Sequence, residues 1–195
     1  MFHSKAFKDF VYSVSGIREN EAEQILSSFK PVLLKYRDHF LREGEICSQI
    51  GYVNAGCLSY YQLFENGKKS IVQFAFEDWW VGDLESFIHR KPTAYFWQAL
   101  EPVELICIGR DDFEKWMNTS ESFRTVFNNK TQKAYIKSLE HAAKDKAENA
   151  EEKYLRMLAE YPQIIQRIPH YDVAAYLGIT PESLSRIRNK LARKK

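Results

Sequence analysis

No run of apolar residues in this 195-residue chain reaches the roughly 18 positions that a helix needs to cross a bilayer, so no membrane partner is expected. The first residues, MFHSKAFKDFVYSVSG, lack the continuous apolar stretch of a secretory signal, because Lys5, Lys8 and Asp9 interrupt them. Cysteine is scarce: Cys47, Cys57 and Cys107 are odd in number and never spaced Cys-x-x-Cys. That argues against a disulfide frame and a zinc or iron–sulfur site, and for a reducing cytoplasm. The five histidines, at 3, 39, 89, 141 and 170, are scattered, so no metal or haem site is expected. Asp83 and Glu85 stand without a nucleophile, a phosphate-cradling glycine loop or metal-ligand spacing. No catalytic residue, cofactor or enzyme activity is therefore expected.

What is present is a core-forming composition, 45% hydrophobic and 14% aromatic, on a chain carrying a formal charge of only +2. The charge is unevenly spread. Residues 151–195 hold nine Lys/Arg against five Asp/Glu, a net +4, while the first 150 residues sum to −2. From Ser183 onward there are six positive charges and no negative one. A near-neutral body with a basic end suits an anionic polymer, although a solvated terminal helix would read the same way.

The periodicity divides the chain. Residues 5–36 read as short helices, the first ending at Gly16. From about Leu33 to Ile108, short runs rich in Tyr, Phe, Val and Ile alternate with turn signals, which suggests a small β-roll or barrel. LSYYQLF and KSIVQFAF flank Asn66-Gly67, which suits a type I′ hairpin turn. Inside this region GDLESFIHR has helical character, with Leu84, Phe87 and Ile88 on one side and Pro92 closing it. The aromatics Phe74, Phe76, Trp79, Trp80, Phe87, Tyr95, Phe96 and Trp97 either fill the roll or line a pocket. After a short helix at DDFEKWM, about forty residues run without Pro or Gly as one long helix or two abutting ones. Phe123, Phe127, Thr131, Ala134, Ser138 and Ala142 form a stripe suited to a second copy of the chain, with packing on the chain's own barrel as the alternative.

The C-terminal stretch VAAYLGITPESLSRIRNKLARKK carries the chemistry. Val173, Ala174 and Leu177 give an apolar face, and Gly178 can take the left-handed conformation that ends a helix. Thr180 is a good N-cap, Pro181 suits the first helical position, and Glu182 favours the positive end of the dipole. The new helix places Leu184, Ile187 and Leu191 on one side, and Glu182, Ser185, Arg186, Asn189 and Arg193 on the other. Arg can read guanine through two bonds, Asn adenine, and Glu the cytosine amine. Thr180, Ser183, Arg188, Lys190 and the basic tail fall nearer to phosphates. VAAYLGITPESLSRIRNKL thus resembles the helix-turn-helix of the Crp/Fnr family of bacterial transcription regulators, in the form found in Bacteroidetes-type members. Glu182-x-x-Ser185-Arg186 is similar to the recognition pattern of its Fnr-like branch.

The resemblance implies an α+β chain in three parts: a cyclic-nucleotide-binding-like jelly roll with flanking helices (1–117), a dimerisation helix (118–147), and a helix-turn-helix domain (148–195). It implies a cytoplasmic homodimer on a two-fold double-stranded DNA site, with RNA polymerase as a further partner. A ligand-binding or protein-interaction module without DNA binding is the alternative. Two departures stand out. Only four residues follow Leu191, so the family's β-hairpin wing is expected to be missing or short. In cyclic-nucleotide-binding members a Gly-Glu-Leu holds the ribose, and an Arg-Ser/Thr-Ala further on holds the phosphate. The matching positions here are Gly82, Asp83 and Leu84, followed by Glu85, and then Thr93 and Ala94, with Thr93 where the Arg would stand. Charge-assisted bonds contribute roughly 1.5–3 kcal/mol each, so tight cAMP binding is not expected and any effector would be another small molecule.

Overall fold

The computed structural model describes residues 5–12, 17–162 and 164–193. Two short helices, α1 (Lys5–Tyr12) and α2 (Glu19–Ser27), lead in. The end expected at Gly16 lies outside the described residues. Glu19 and Glu21 favour the first turn of α2, and Ala22, Ile25 and Leu26 bury its inner face. The helical texture stops earlier than residue 36. β1 already runs from Phe29 to Leu34, with Pro31 inside it. The proline is tolerated because β1 is an edge strand, bonded only to β8 (Val103–Gly109).

Among the described residues, eight strands form two four-stranded antiparallel sheets. One has the order β1-β8-β3-β6, with β3 at Gln49–Ala55 and β6 at Trp80–Val81. The other has the order β2-β7-β4-β5, with β2 at His39–Leu41, β4 at Leu58–Leu63, β5 at Lys69–Ala75 and β7 at Phe96–Ala99. The hairpin between β4 and β5 forms as expected, but not through a type I′ turn. Only Gly67 of the Asn-Gly pair has a positive φ, at 76°. Asn66 instead accepts from the Lys68 N–H at 3.0 Å, and the Gly67 N–H donates to the Phe64 carbonyl at 2.8 Å. The loop is the three-residue kind that ends in a left-handed glycine.

Between β6 and β7 lies α3 (Leu84–His89). Its end is a left-handed Arg90, φ 56°, not Pro92. Of the three apolar residues expected on one side, only Phe87 is buried. Leu84 and Ile88 are exposed, because a helix of under two turns offers the roll little more than one side chain. After β8 come α4 (Arg110–Thr119) and α5 (Glu121–Ala147). The forty-residue run without Pro or Gly is two helices. Asn149 caps a new one, α6 (Ala150–Glu160), with Glu152 completing a reciprocal capping box. Then follow α7 (Ile164–Arg167), α8 (His170–Leu177) and α9 (Pro181–Ala192).

Two apolar cores result. The roll interior gathers Phe7, Ile25, Val53, Phe87, Trp97 and Leu105. The second joins Tyr61, Ile71 and Phe74 on the outer face of β4–β5, and Phe76 just after β5, to Tyr154, Met157, Val173, Leu177 and Leu184 of the C-terminal helices. The aromatic-rich segment is therefore divided between two cores.

Candidate functional site

Helices α8 and α9 meet at a sharp turn whose backbone bonds are satisfied. Gly178 adopts φ 69°. Its N–H donates to the Ala175 carbonyl at 3.3 Å, and the Ile179 N–H to the Ala174 carbonyl at 3.0 Å. This pairing closes a helix on a left-handed glycine. Thr180 then caps α9, its hydroxyl accepting from the Ser183 N–H at 3.3 Å, with Pro181 in the first turn. Leu184 is fully buried, and Ile187 and Leu191 are half-buried against the second core.

The opposite side of α9 faces solvent. Glu182, Ser185, Arg186 and Asn189 are exposed, as are Thr180, Arg188 and Lys190, while Ser183 is half-buried. Among the described residues Arg186 makes no ion pair within the chain. Glu182 is held below its ordinary carboxylate range by its own backbone N–H and the Thr180 hydroxyl, with smaller help from Arg186 and His170. It therefore stands as an acceptor. The Ser185 hydroxyl donates to the Pro181 carbonyl at 3.0 Å, which leaves its oxygen to accept. Lys190 reaches the Glu151 carboxylate of α6 at 2.5 Å, so a phosphate would compete with that partner.

The six roll positions do not converge on one place. Asp83 and Thr93 are buried, whereas Leu84, Glu85 and Ala94 lie at the surface. One Asp83 oxygen accepts from the Ser86 N–H at 3.0 Å and so caps α3. The other accepts from the Thr93 hydroxyl at 2.5 Å and the Tyr60 hydroxyl at 3.4 Å. Tyr60 stacks on both Tyr95 and Trp97 at centroid distances of 4.7 Å. The Trp97 indole N–H donates to the Gly82 carbonyl at 3.1 Å. The nearest bases point elsewhere: exposed Arg90 pairs with Glu114 at 3.3 Å, and Lys91 is exposed. A hollow of about 280 Å³ is lined by none of these six positions but by Phe40, Leu41 and residues 45–49.

The cysteines are buried, and burial raises all three thiols, Cys107 to about 12. Among the described residues no group of three or more His, Cys, Asp or Glu could hold a metal ion. No described helix is long and apolar enough to cross a membrane.

Charged contacts between the roll and the C-terminal helices carry no local sequence signal. Lys69 of β5 donates to the fully buried Asp172 of α8 at 2.8 Å, across 103 positions of chain. Arg167 bonds Glu77 through two nitrogens, at 2.9 and 2.7 Å, and also reaches Glu101 at 2.5 Å. Helix α5 is attached as well, through Asp145–Arg156 at 2.5 Å and His141–Glu160 at 3.5 Å. Phe123 and Phe127, expected on a face toward a second chain, pack edge-on against Phe113 of α4 at 5.7 and 4.7 Å. The large apolar side chains that α5 leaves exposed are Tyr135, Ile136 and Leu139.

Residues 31–120 match the model of the cyclic nucleotide-binding domain. No curated protein matches the chain. Among solved structures, the c-di-GMP responsive global regulator CLP of Xanthomonas campestris is similar at a TM-score of 0.71 and 16% identity, covering 88% of this chain and 90% of that one. FixK2 from Bradyrhizobium japonicum aligns at 0.69 and 17% identity, over 85% of each chain. A Crp/Fnr-family transcriptional regulator from Eubacterium rectale aligns at 0.70 and 14% identity, over 91% of this chain and 85% of that one. At these identities the likeness is one of fold: an α+β chain whose cyclic-nucleotide-binding-type β-sandwich precedes C-terminal helices, as in regulators of the Crp/Fnr type.

Proposed function

We propose that the chain is a homodimeric, sequence-specific DNA-binding transcription regulator of the Crp/Fnr type, whose roll does not bind cAMP tightly. The observation that carries this reading is α9. It is capped at Thr180, anchored by buried Leu184, and presents Glu182, Ser185, Arg186 and Asn189 to solvent, Arg186 making no ion pair among the described residues. A polar free side is ordinary for a surface helix; what favours DNA is that this side is basic, with six positive charges and no negative one from Ser183 onward. Two such helices, one per major groove, would read half-sites about one turn apart. Thr180, Ser183, Arg188 and Lys190 would touch phosphates.

The units are residues 1–117, 118–147 and 148–195, and the second copy covers the Tyr135–Leu139 face of α5. Double-stranded DNA and RNA polymerase are the partners, in the cytoplasm. By the family resemblance Thr93 falls where a phosphate-binding Arg would stand, and its hydroxyl donates to Asp83. An anionic phosphate would meet no bidentate donor there. Selection of bound sites from random DNA should enrich a two-fold symmetric sequence. Enrichment of none, with binding that ignores salt, would overturn the reading in favour of an interaction module. Calorimetric titration with cAMP should show no micromolar binding.

A further inference from the structure

Helix α5 ends at Ala147 and α6 begins at Ala150, so only Glu148 and Asn149 separate them. Both are extended, and the Asn149 capping box restarts the helix at once. Two contacts join the helices beyond this turn. Asp145 meets Arg156 at 2.5 Å, and His141 meets Glu160 at 3.5 Å. From the first contact to the second, the chain steps four residues back along α5 and four forward along α6, about 6 Å each way. α6 therefore folds back antiparallel onto α5. One turn further along α5, the Lys137 ammonium lies 5.9 Å from the centre of the Tyr161 ring, just past the end of α6. At about 100° per residue, Lys137, His141 and Asp145 fall within an arc of about 80°. Tyr135, Ile136 and Leu139 are exposed on the other side of α5.

Arg156 fastens this hairpin at its turn. Its guanidinium donates to Asp145 of α5 at 2.5 Å and, through Nε, to Glu148 of the turn at 2.8 Å. The side chain is only 13% exposed and lies beside Tyr176 of α8. A planar guanidinium holds two carboxylates in one fixed relation, which a flexible ammonium does not. α6 in turn carries the reading helix, because Tyr154 and Met157 share a core with Val173, Leu177 and Leu184. We infer that Arg156 is a positioning residue: by clamping α6 to α5 it fixes how far α9 stands from the free face of α5, and with that the half-site spacing a dimer accepts. This role rests on the DNA-reading proposal and on a second copy covering the Tyr135–Leu139 face. One base pair added between half-sites turns the second by about 34° and shifts it by about 3.4 Å. A clamped dimer rejects that site, and a loosened one follows it.

Nitroxide labels at Lys133→Cys on α5 and Ala192→Cys on α9 report the clamp without DNA, in the full chain diluted with unlabelled protein. The native cysteines are buried and stay unlabelled. Double electron–electron resonance should give one narrow distance, which broadens in Arg156→Lys and in the double variant Asp145→Ala, Glu148→Ala. The double variant leaves Arg156 and both cores in place, so it tests the clamp even if Arg156→Lys folds poorly. Glu114→Ala, which removes the exposed Arg90 pair, should change nothing. On DNA, the preference for the selected spacing over one base pair more should fall roughly tenfold in both clamp variants. The half-site sequence and the affinity for a single half-site should stay as in the parent chain, which a general loss of structure would not allow. An unchanged distance distribution, or a broadened one with the spacing preference intact, would overturn the role of Arg156. A wild-type chain that enriches no two-fold site would overturn the DNA reading, and the spacing role with it, whatever the labels show.

Discussion

Arg186 and Lys190 lie on the same helix and carry the same charge, but their surroundings differ. Arg186 is exposed and makes no ion pair among the described residues, whereas Lys190 already holds Glu151. A guanidinium free to fork onto a base edge should carry sequence information, and an ammonium at the phosphates should not. Arg186→Ala is expected to cost about 1–3 kcal/mol on the selected site and to relax specificity at one base pair. Lys190→Ala should weaken all sequences alike and reduce the salt slope by less than the roughly one unit of a full phosphate contact, because Glu151 competes for the ammonium. Fluorescence anisotropy on specific and random duplexes at several salt concentrations separates the two. Equal losses on both duplexes for Arg186→Ala would remove it from base reading.

Elements depend on a few positions where an ordinary side chain is costly. Gly56, between β3 and β4, has φ 100°, and a Cβ there would sit 2.5 Å from the Pro102 carbonyl. Gly178, between α8 and α9, has φ 69° but open space around it. The left-handed conformation alone costs about 1–2 kcal/mol for an alanine, so Gly178→Ala should lose about that much. Gly56→Ala should lose more, since a backbone clash is added. Chemical denaturation of the two variants should show that order, and the reverse order would contradict the geometry. Helix α5 makes a different demand. Tyr135, Ile136 and Leu139 are exposed, on a helix with no buried residue of its own. If a second copy covers them, Leu139→Lys should shift the chain to monomers in light scattering while leaving the secondary structure intact. A variant that stays dimeric would move the interface elsewhere.

At the scale of the whole molecule, the roll and the C-terminal helices share a core and are joined by charge. Glu77 is lowered from an ordinary 4.5 to about 2, first by its hydrogen bonds to Arg167. A carboxyl depressed in the folded state contributes stability that is present above its unfolded value and lost as pH falls through its folded one. Seating of the helices on the roll should therefore weaken between pH 4.5 and about 2, the window set by that shift. Glu77→Gln should flatten the pH dependence of the melting temperature in that window. An unchanged slope would mean that the Glu77–Arg167 pair does not contribute to the seating.

Much of α9 was legible in the sequence, because its signals are local: the Gly178 turn, the Thr180 cap, the Pro181 start and the spacing of Leu184, Ile187 and Leu191 all act within a few residues. The strand texture and the β4–β5 hairpin were legible for the same reason. The turn type was not, because the Asn66 side chain bond chose the local geometry. Three features needed the folded chain. The first is that Phe123 and Phe127 pack on Phe113 rather than outward. The second is that Asp83, Thr93 and Tyr60 close on one another. The third is that Lys69 meets Asp172, 103 residues away in sequence. Periodicity and capping follow from the covalent order of a short segment. Which face is covered, and which charge loses its water, depends on segments brought together only when the two cores form.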